Sequence, residues 1–455
     1  MTQEQEKQLL QAIYDRLFDA ITYQPAGSKN PFTESETFIH FSKNAAVDLK
    51  SFANSRTPSN FPGDLKTSEE FSRLVDQVSP MALEWENTGN QLSKIYKQVV
   101  DSANASTKTD QTAQDMYDKA YNYLHSETGE YSPEYNDYED NLGAYVDAIQ
   151  AYRGAYISYL NDAGDKDSDV RRKADLNWQV KAPGLENEIK KTLRKLSVGN
   201  AKSVEQSLNI LNTTINDGVR QAISAAQDAV RDDRAFSSSL EQGDNWFLSY
   251  PVPANWTDEK NLSFSELKIS GGNTTIRSKG TEHCFSVDTS VNYGLWRVKA
   301  SADGNFQHFN SSTDKDSVEI TAKVAKVEIK RPWFLESIFR LQNWSTNLVN
   351  NKGGISNGKI DTSNKTGLIP MYPVAFVVAS DIRIKANFSH EDEEHIKESA
   401  HASTSVGWGP FSIGGSYGYG KTDDEFHSDY QNGEIRVPGM QIIAWISRVV
   451  PFSPQ

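Results

Sequence analysis

Residues 400–419 read AHASTSVGWGPFSIGGSYGY. Folding this stretch back on itself at Gly409-Pro410 sets Trp408 opposite Phe411, Val406 opposite Ile413, Thr404 opposite Gly415 and Ala402 opposite Tyr417. Side chains along a strand point alternately to its two faces, so the pattern predicts a β-hairpin with two unlike faces. One face collects Val406, Trp408, Phe411, Ile413, Tyr417 and Tyr419. The other collects Gly407 and Gly414 with Ser403, Ser405, Ser412 and Ser416. Charge returns only at Glu398 and Lys421, so each arm is close to the length of a membrane-spanning strand, about 9–11 residues.

The flanks carry the pattern outward. Below the arms lie two charged runs, His390 to Glu398 on one side and Lys421 to Glu425 on the other. Beyond them the apolar run Val374 to Ala379 leads into Ile382 and Ile384, and Ile435 and Val437 lead into Gln441 to Ser447. Both flanks read as core strands. Upstream, Leu262 to Ile269, Phe285 to Leu295 and Val318 to Ile329 also alternate with period two. Val327 and Ile329 fall one step out of phase with Val318 to Val324, which predicts a bulge between Val324 and Val327.

The first half has a helical period. Leu9 to Ile21 predicts one helix and Phe38 to Phe52 a second. Thr67-Ser68-Glu69-Glu70 predicts the start of a third, with its pattern resuming after Pro80 as far as Val99. Met116 to Leu124, Leu142 to Leu160, Leu185 to Leu196 and Ser203 to Ala235 continue the series, with 126–141 expected as an acidic, tyrosine-rich connection. The tyrosine stripe of 142–160 is expected to pack between helices with its hydroxyls at the edge. The expected fold is α+β: an antiparallel helical bundle at 1–236, a linker at 237–260, and an antiparallel β domain at 261–455, sandwich-like or an elongated sheet, with a long amphipathic hairpin.

Charge and cysteine usage narrow the function. The net charge is −14 over 455 residues, with 47 basic and 61 acidic groups. Residues 101–150 alone hold 2 basic and 11 acidic groups. Such a surface repels phosphates, which excludes a nucleic-acid partner. The single cysteine, Cys284, permits no intrachain disulfide. The N-terminal stretch is charged and lacks a signal-peptide core. The expectation is a protein made soluble in the cytoplasm without a signal peptide, leaving the cell, if it does, by lysis or a leaderless route.

No arrangement of side chains marks a reaction. In His390-Glu-Asp-Glu-Glu-His395 the histidines stand five apart, whereas a zinc helix needs four. Asp165, Asp167 and Asp169 open like a calcium loop, but Val170 and Leu176 occupy the required glycine and glutamate positions. His283 and Cys284 are adjacent and point to opposite sides of a strand. No catalytic residue, cofactor, metal or small-molecule substrate is assigned, and the chain is read as not an enzyme.

Three uses fit the hairpin. It can be half-buried, with its Gly/Ser face in water. It can mediate assembly, since Gly and Ser let another backbone approach closely. It can insert into lipid, where a closed barrel satisfies every backbone group. The two-faced hairpin between core strands, within 382–437, resembles the insertion hairpin of aerolysin-type β-pore-forming toxins. That resemblance implies a self-associating, membrane-inserting protein. Trp408 and Phe411 would lead, Val406, Ile413, Tyr417 and Tyr419 would face lipid, and Ser403, Ser405, Ser412 and Ser416 would line the lumen. Its partners would be further copies of itself and a lipid membrane. The alternative is a soluble structural protein using the same hairpin for subunit contacts.

Overall fold

The strand Met371–Lys385 organises the β half. Its sequence, MYPVAFVVASDIRIK, supplies the β-branched and aromatic residues that suit a pleated surface. It pairs antiparallel with Gln441–Val449 and Glu434–Val437 along one edge and with Glu319–Lys330 along the other. Glu319–Lys330 pairs in turn with Tyr250–Val252 and Ser265–Ser270. Beyond Gln441–Val449 lies Thr37–Ser42, which runs parallel to Glu84–Trp85. With Asp429–Gln431 beside Glu434–Val437, these make a nine-stranded sheet. A second, five-stranded sheet has the order Glu425–His427, Phe411–Ser416, Thr404–Trp408, Trp296–Ala300 and Gln307–Phe309. The protein is therefore mixed α+β with largely antiparallel sheets. The computed structural model describes residues 1–22, 36–57, 60, 63–85, 88–105, 111–126, 129–163, 168–195, 200–213, 216–239, 244–262, 264–273, 294–300, 306–349, 353–360, 367–399, 404–420 and 424–454. The expected strand Phe285 to Leu295 lies mostly outside them, as do His283, Cys284 and Ser403.

Both faces of the large sheet are covered. Ala375, Val377 and Ala379 point to a core shared with the helix Gln3–Thr22 and the five-stranded sheet. Phe376 and Val378 point to a second core, with Phe71 and Val75 of the helix Leu65–Val75 and with Trp256 and Trp445. This double burial accounts for the bulge expected between Val324 and Val327, which does not form. Ile320, Ala322 and Val324 face the first core; Ala325, Val327 and Ile329 face the second. The apolar phase changes because the covered face changes, while the pleat runs on. The register shift lies instead between Thr321 and Lys323, opposite Asp381, whose φ is 49°.

Several expected helices end differently. Thr37–Ser42 is a strand, with every residue buried, where a helix from Phe38 to Phe52 was expected; only the short turn Leu49–Phe52 is helical. A strand covered on both sides has no alternation to betray it. The third helix starts at Leu65, capped by Asp64, whose side chain accepts from the backbone N–H groups of Lys66 and Thr67. Between it and the next helix, Leu92–Asp101, the chain forms the strand Glu84–Trp85.

The helical half comprises Gln111–Leu124, Pro133–Ala163, Ser168–Lys195, Ala201–Thr213 and Asn216–Ala229. The acidic segment expected as a connection is helical from Pro133 onward. Proline suits the first helical position, and Ser132 Oγ accepts from Tyr135 N at 3.2 Å. Pro133–Ala163 and Ser168–Lys195 form a long antiparallel arm around Tyr145, Ile149, Tyr152 and Ile189. Trp178 lies 5.3 Å, ring to ring, from each of Tyr152, Tyr156 and Tyr159. The tyrosine stripe thus packs between helices, and Tyr159 Oη donates to Asp175 at 3.1 Å.

Candidate functional site

The hairpin forms with its turn at Gly409-Pro410. Gly409 has φ 55°, which glycine adopts without strain, and its N–H donates to the carbonyl of Leu295 at 2.8 Å. Trp408 stands opposite Phe411 and Gly407 opposite Ser412, as the fold-back requires. The register then slips: Val406 pairs with Gly414, so Ile413 is the extra residue of a bulge. The strands are five and six residues long, and the expected lower arm His390 to Glu398 is a helix capped by Ser389. Tyr417 and Tyr419 lie beyond the second strand.

Both edges of the hairpin are paired, with Trp296–Ala300 on one side and Glu425–His427 on the other. Val406, Trp408, Phe411 and Ile413 are at most 1% exposed, in the core that also holds Leu9, Leu10 and Ile13. A methyl group at Gly409 would lie 3.7 Å from Leu10 and 3.8 Å from Ile13, so the N-terminal helix roofs the hairpin tip. Tyr417 is half-buried against Phe426.

The Gly/Ser face also meets protein. Ser412 Oγ accepts from Ala45 N at 2.8 Å, and the side-chain amide of Gln441 both donates to Ser412 O and accepts from Ser412 N. A methyl group at Gly418 would lie 2.1 Å from Asn44 O, and one at Gly414 would lie 2.2 Å from Ser399 O. Tyr419 Oη donates to Ser42 Oγ at 3.2 Å and accepts from Trp445 Nε1 at 2.9 Å. The close approach that small residues permit is thus made by the chain itself, chiefly through 42–48. Ser412 is buried there, Ser405 is buried against Gly415 and Ser416, and Ser416 is exposed.

Three polar groups around the hairpin are buried without full partners. Arg297 donates from Nη1 to the carbonyls of Ser42 and Lys43 and its guanidinium lies 5.7 Å from the centre of the Phe306 ring, but its Nε and Nη2 have no hydrogen-bond partner. Burial pulls its guanidinium down to about 10. Glu6, on the roofing helix, accepts from the N–H groups of Ser311 and Leu295 through Oε1 alone, and burial pushes its carboxyl up to about 7. Trp408 Nε1 has no partner either. Asp392 is the well-served contrast. Burial would raise its carboxyl, but hydrogen bonds from Thr313, Ser389 and Trp296 hold it below the usual range.

One arrangement was missed from the sequence because its members are far apart. His40 Nδ1 lies 2.7 Å from Ala82 O, His40 Nε2 lies 2.8 Å from Ser447 Oγ, and Ser447 Oγ lies 2.7 Å from Ser79 Oγ. The carbonyl takes the Nδ1 proton, so Nε2 accepts from Ser447, the order of a base and a nucleophile. All three side chains are buried, His40 and Ser447 on neighbouring strands of the large sheet and Ser79 in the segment after the helix Leu65–Val75, and burial pulls His40 down to about 3. The trio is a satisfied core network. His390 and His395 do not converge; each faces a glutamate of its own helix, Glu394 and Glu398. Among the described residues no three His, Cys, Asp or Glu side chains are grouped to hold a metal, and no helix is long and apolar enough to cross a membrane.

No family model matches the chain, and no significant match exists among curated proteins or solved structures.

Proposed function

We propose that this chain is a non-enzymatic, self-associating protein in which the 404–416 hairpin works as an internal keystone and the helical arm presents the surface for association. The observation that carries this reading is the arm. Ser168–Lys195 packs along Pro133–Ala163 through one seam, yet leaves Leu176 57% and Val180 80% exposed. Apolar side chains held in water on a rigid helix gain by being covered. The proposal keeps a helical half and an antiparallel β half, supported by helices through Ala229 and by the pairing of strands from Tyr250 onward. Thr37–Ser42, which pairs with Gln441–Val449, belongs with the β half. Light scattering after size exclusion, over a range of protein concentrations, tests it: a mass above one chain is expected, and a monomer throughout overturns it.

The pore-forming reading is favoured by one observation, the incompletely partnered Arg297, Glu6 and Trp408 around the hairpin. Releasing the hairpin returns them to water. Against this stands the loss of four buried side chains, about 6–12 kcal/mol in total. The two short strands would also have to lengthen at the expense of the helix His390–Glu398. Dye release from liposomes at neutral and acid pH separates the readings: oligomers that release no dye leave the assembly reading standing alone.

A further inference from the structure

We propose that the cleft where the helical arm meets the large sheet binds a neutral saccharide. The cleft holds about 480 Å³, within the range of small-molecule sites. Three neighbouring strands line it, Ser265–Ser270, Glu319–Lys330 and Met371–Lys385, together with Ser158 of the helix Pro133–Ala163. Gly154, Ser158 and Asn161 are spaced four and three apart and so share one side of that helix. A methyl group at Gly154 would lie 2.7 Å from Ser265 Oγ, and Asn161 Nδ2 donates to Glu266 O at 3.0 Å. The helix is fastened to the strand on either side of Ser158, which is thereby held over the sheet.

The strand Met371–Lys385 breaks a local rule at this place. Asp381 and Ile382 together oppose Ala322, and Asp381 has φ 49°, the left-handed position of a bulge that glycine fills at least cost. An aspartate carries strain there that a glycine would not, so the side chain is what the position supplies. Its carboxylate draws two cations to the cleft: Lys323 Nζ lies 3.4 Å from Oδ2, and Arg383 Nη2 lies 3.1 Å from Oδ1. Both cations have N–H donors beyond those that Asp381 engages. Glu266 adds a second carboxylate, so the lining is balanced in charge and favours a ligand without net charge. Ser265 and Thr321, with Ser158, add hydroxyls that both donate and accept. A sugar matches this lining. Each of its neighbouring hydroxyls accepts from a cation and donates to a carboxylate or hydroxyl, and its C–H face packs on half-buried Phe264.

Saturation-transfer NMR on the full chain with cellobiose, maltose, lactose and chitobiose tests this. Transfer to at least one of these sugars is expected. Arg383→Ala, at an exposed site, should weaken that binding at least about tenfold, the change expected for losing hydrogen bonds from a charged group. Asp381→Gly should weaken it to the same extent while raising the thermal unfolding midpoint, because glycine relieves the backbone strain. Transfer to none of the sugars overturns the proposal, as do variants that bind sugar as tightly as wild type. Binding of inorganic phosphate alone, read by phosphorus NMR and lost with Arg383→Ala, overturns the neutral ligand in favour of an oxyanion.

Discussion

Gly407 and Arg297 face each other across neighbouring strands so closely that a methyl group on Gly407 would fall 2.7 Å from Arg297 Nη2. The glycine is there because a buried guanidinium occupies the space a side chain would need. Gly407→Ala is expected to destabilise the fold by about 1–3 kcal/mol, the usual cost of overpacking. Arg297→Met in the same chain should relieve much of that penalty. Urea unfolding of the two single variants and the double variant measures the coupling; additive effects would show that the two residues do not contact each other.

The hairpin's apolar face is core, so its substitutions should behave as core substitutions. Phe411→Ala is expected to cost about 3–5 kcal/mol. Val406→Asp, which places a carboxylate in the apolar core that holds Trp408 and Phe411, should unfold the protein or drive it into aggregates. A folded, soluble Val406→Asp protein would show the face to be accessible. Thermal unfolding of purified variants decides this.

Glu6 gives a pH signature. Burial raises its carboxyl from 4.5 to about 7, so the folded state binds this proton more tightly than the unfolded state does. Its contribution to stability is fully present below pH 4.5 and is lost as pH rises to about 7, a loss of up to about 3 kcal/mol. Glu6→Gln should remove that decline and be more stable than wild type at pH 8. Urea midpoints measured across pH 4–8 report the difference.

His40 titrates in the opposite sense. Burial lowers its imidazole from 6.5 to about 3, so the folded state holds it neutral. Its stabilisation is present above pH 6.5 and falls as pH drops below that value, by about 1.4 kcal/mol per pH unit. His40→Gln, which keeps a donor and an acceptor between Ala82 and Ser447, should flatten the acid limb of the same urea series. Between pH 4.5 and 6.5 Glu6 and His40 oppose one another, so the wild-type curve should be flatter there than that of either variant.

Much of the fold was legible where the signal is local. The Gly409-Pro410 turn, the apolar alternation of 404–413 and the run 374–379 all found their places, because turn geometry and strand alternation depend on near neighbours. So did the helix over 142–160. The start at Pro133 was also written locally, as Ser132-Pro133-Glu134, beneath an acidic composition that suggests a loop. Thr37–Ser42 was not legible as a strand. With both faces buried its apolar residues show no period of two, and with the following turn they mimic helical spacing.

The candidate site divides in the same way. By itself the sequence determined that residues 404–416 form a hairpin with one apolar face and one face of Gly and Ser. Only the tertiary structure decided what covers each hairpin face: the N-terminal helix on one, and 42–48, Arg297 and Gln441 on the other. The reason is separation along the chain. Ala45 and Ser412 are 367 residues apart, yet share a hydrogen bond. No pattern within either segment specifies its partner, because burial belongs to the pair and exists only once the fold has brought the two together.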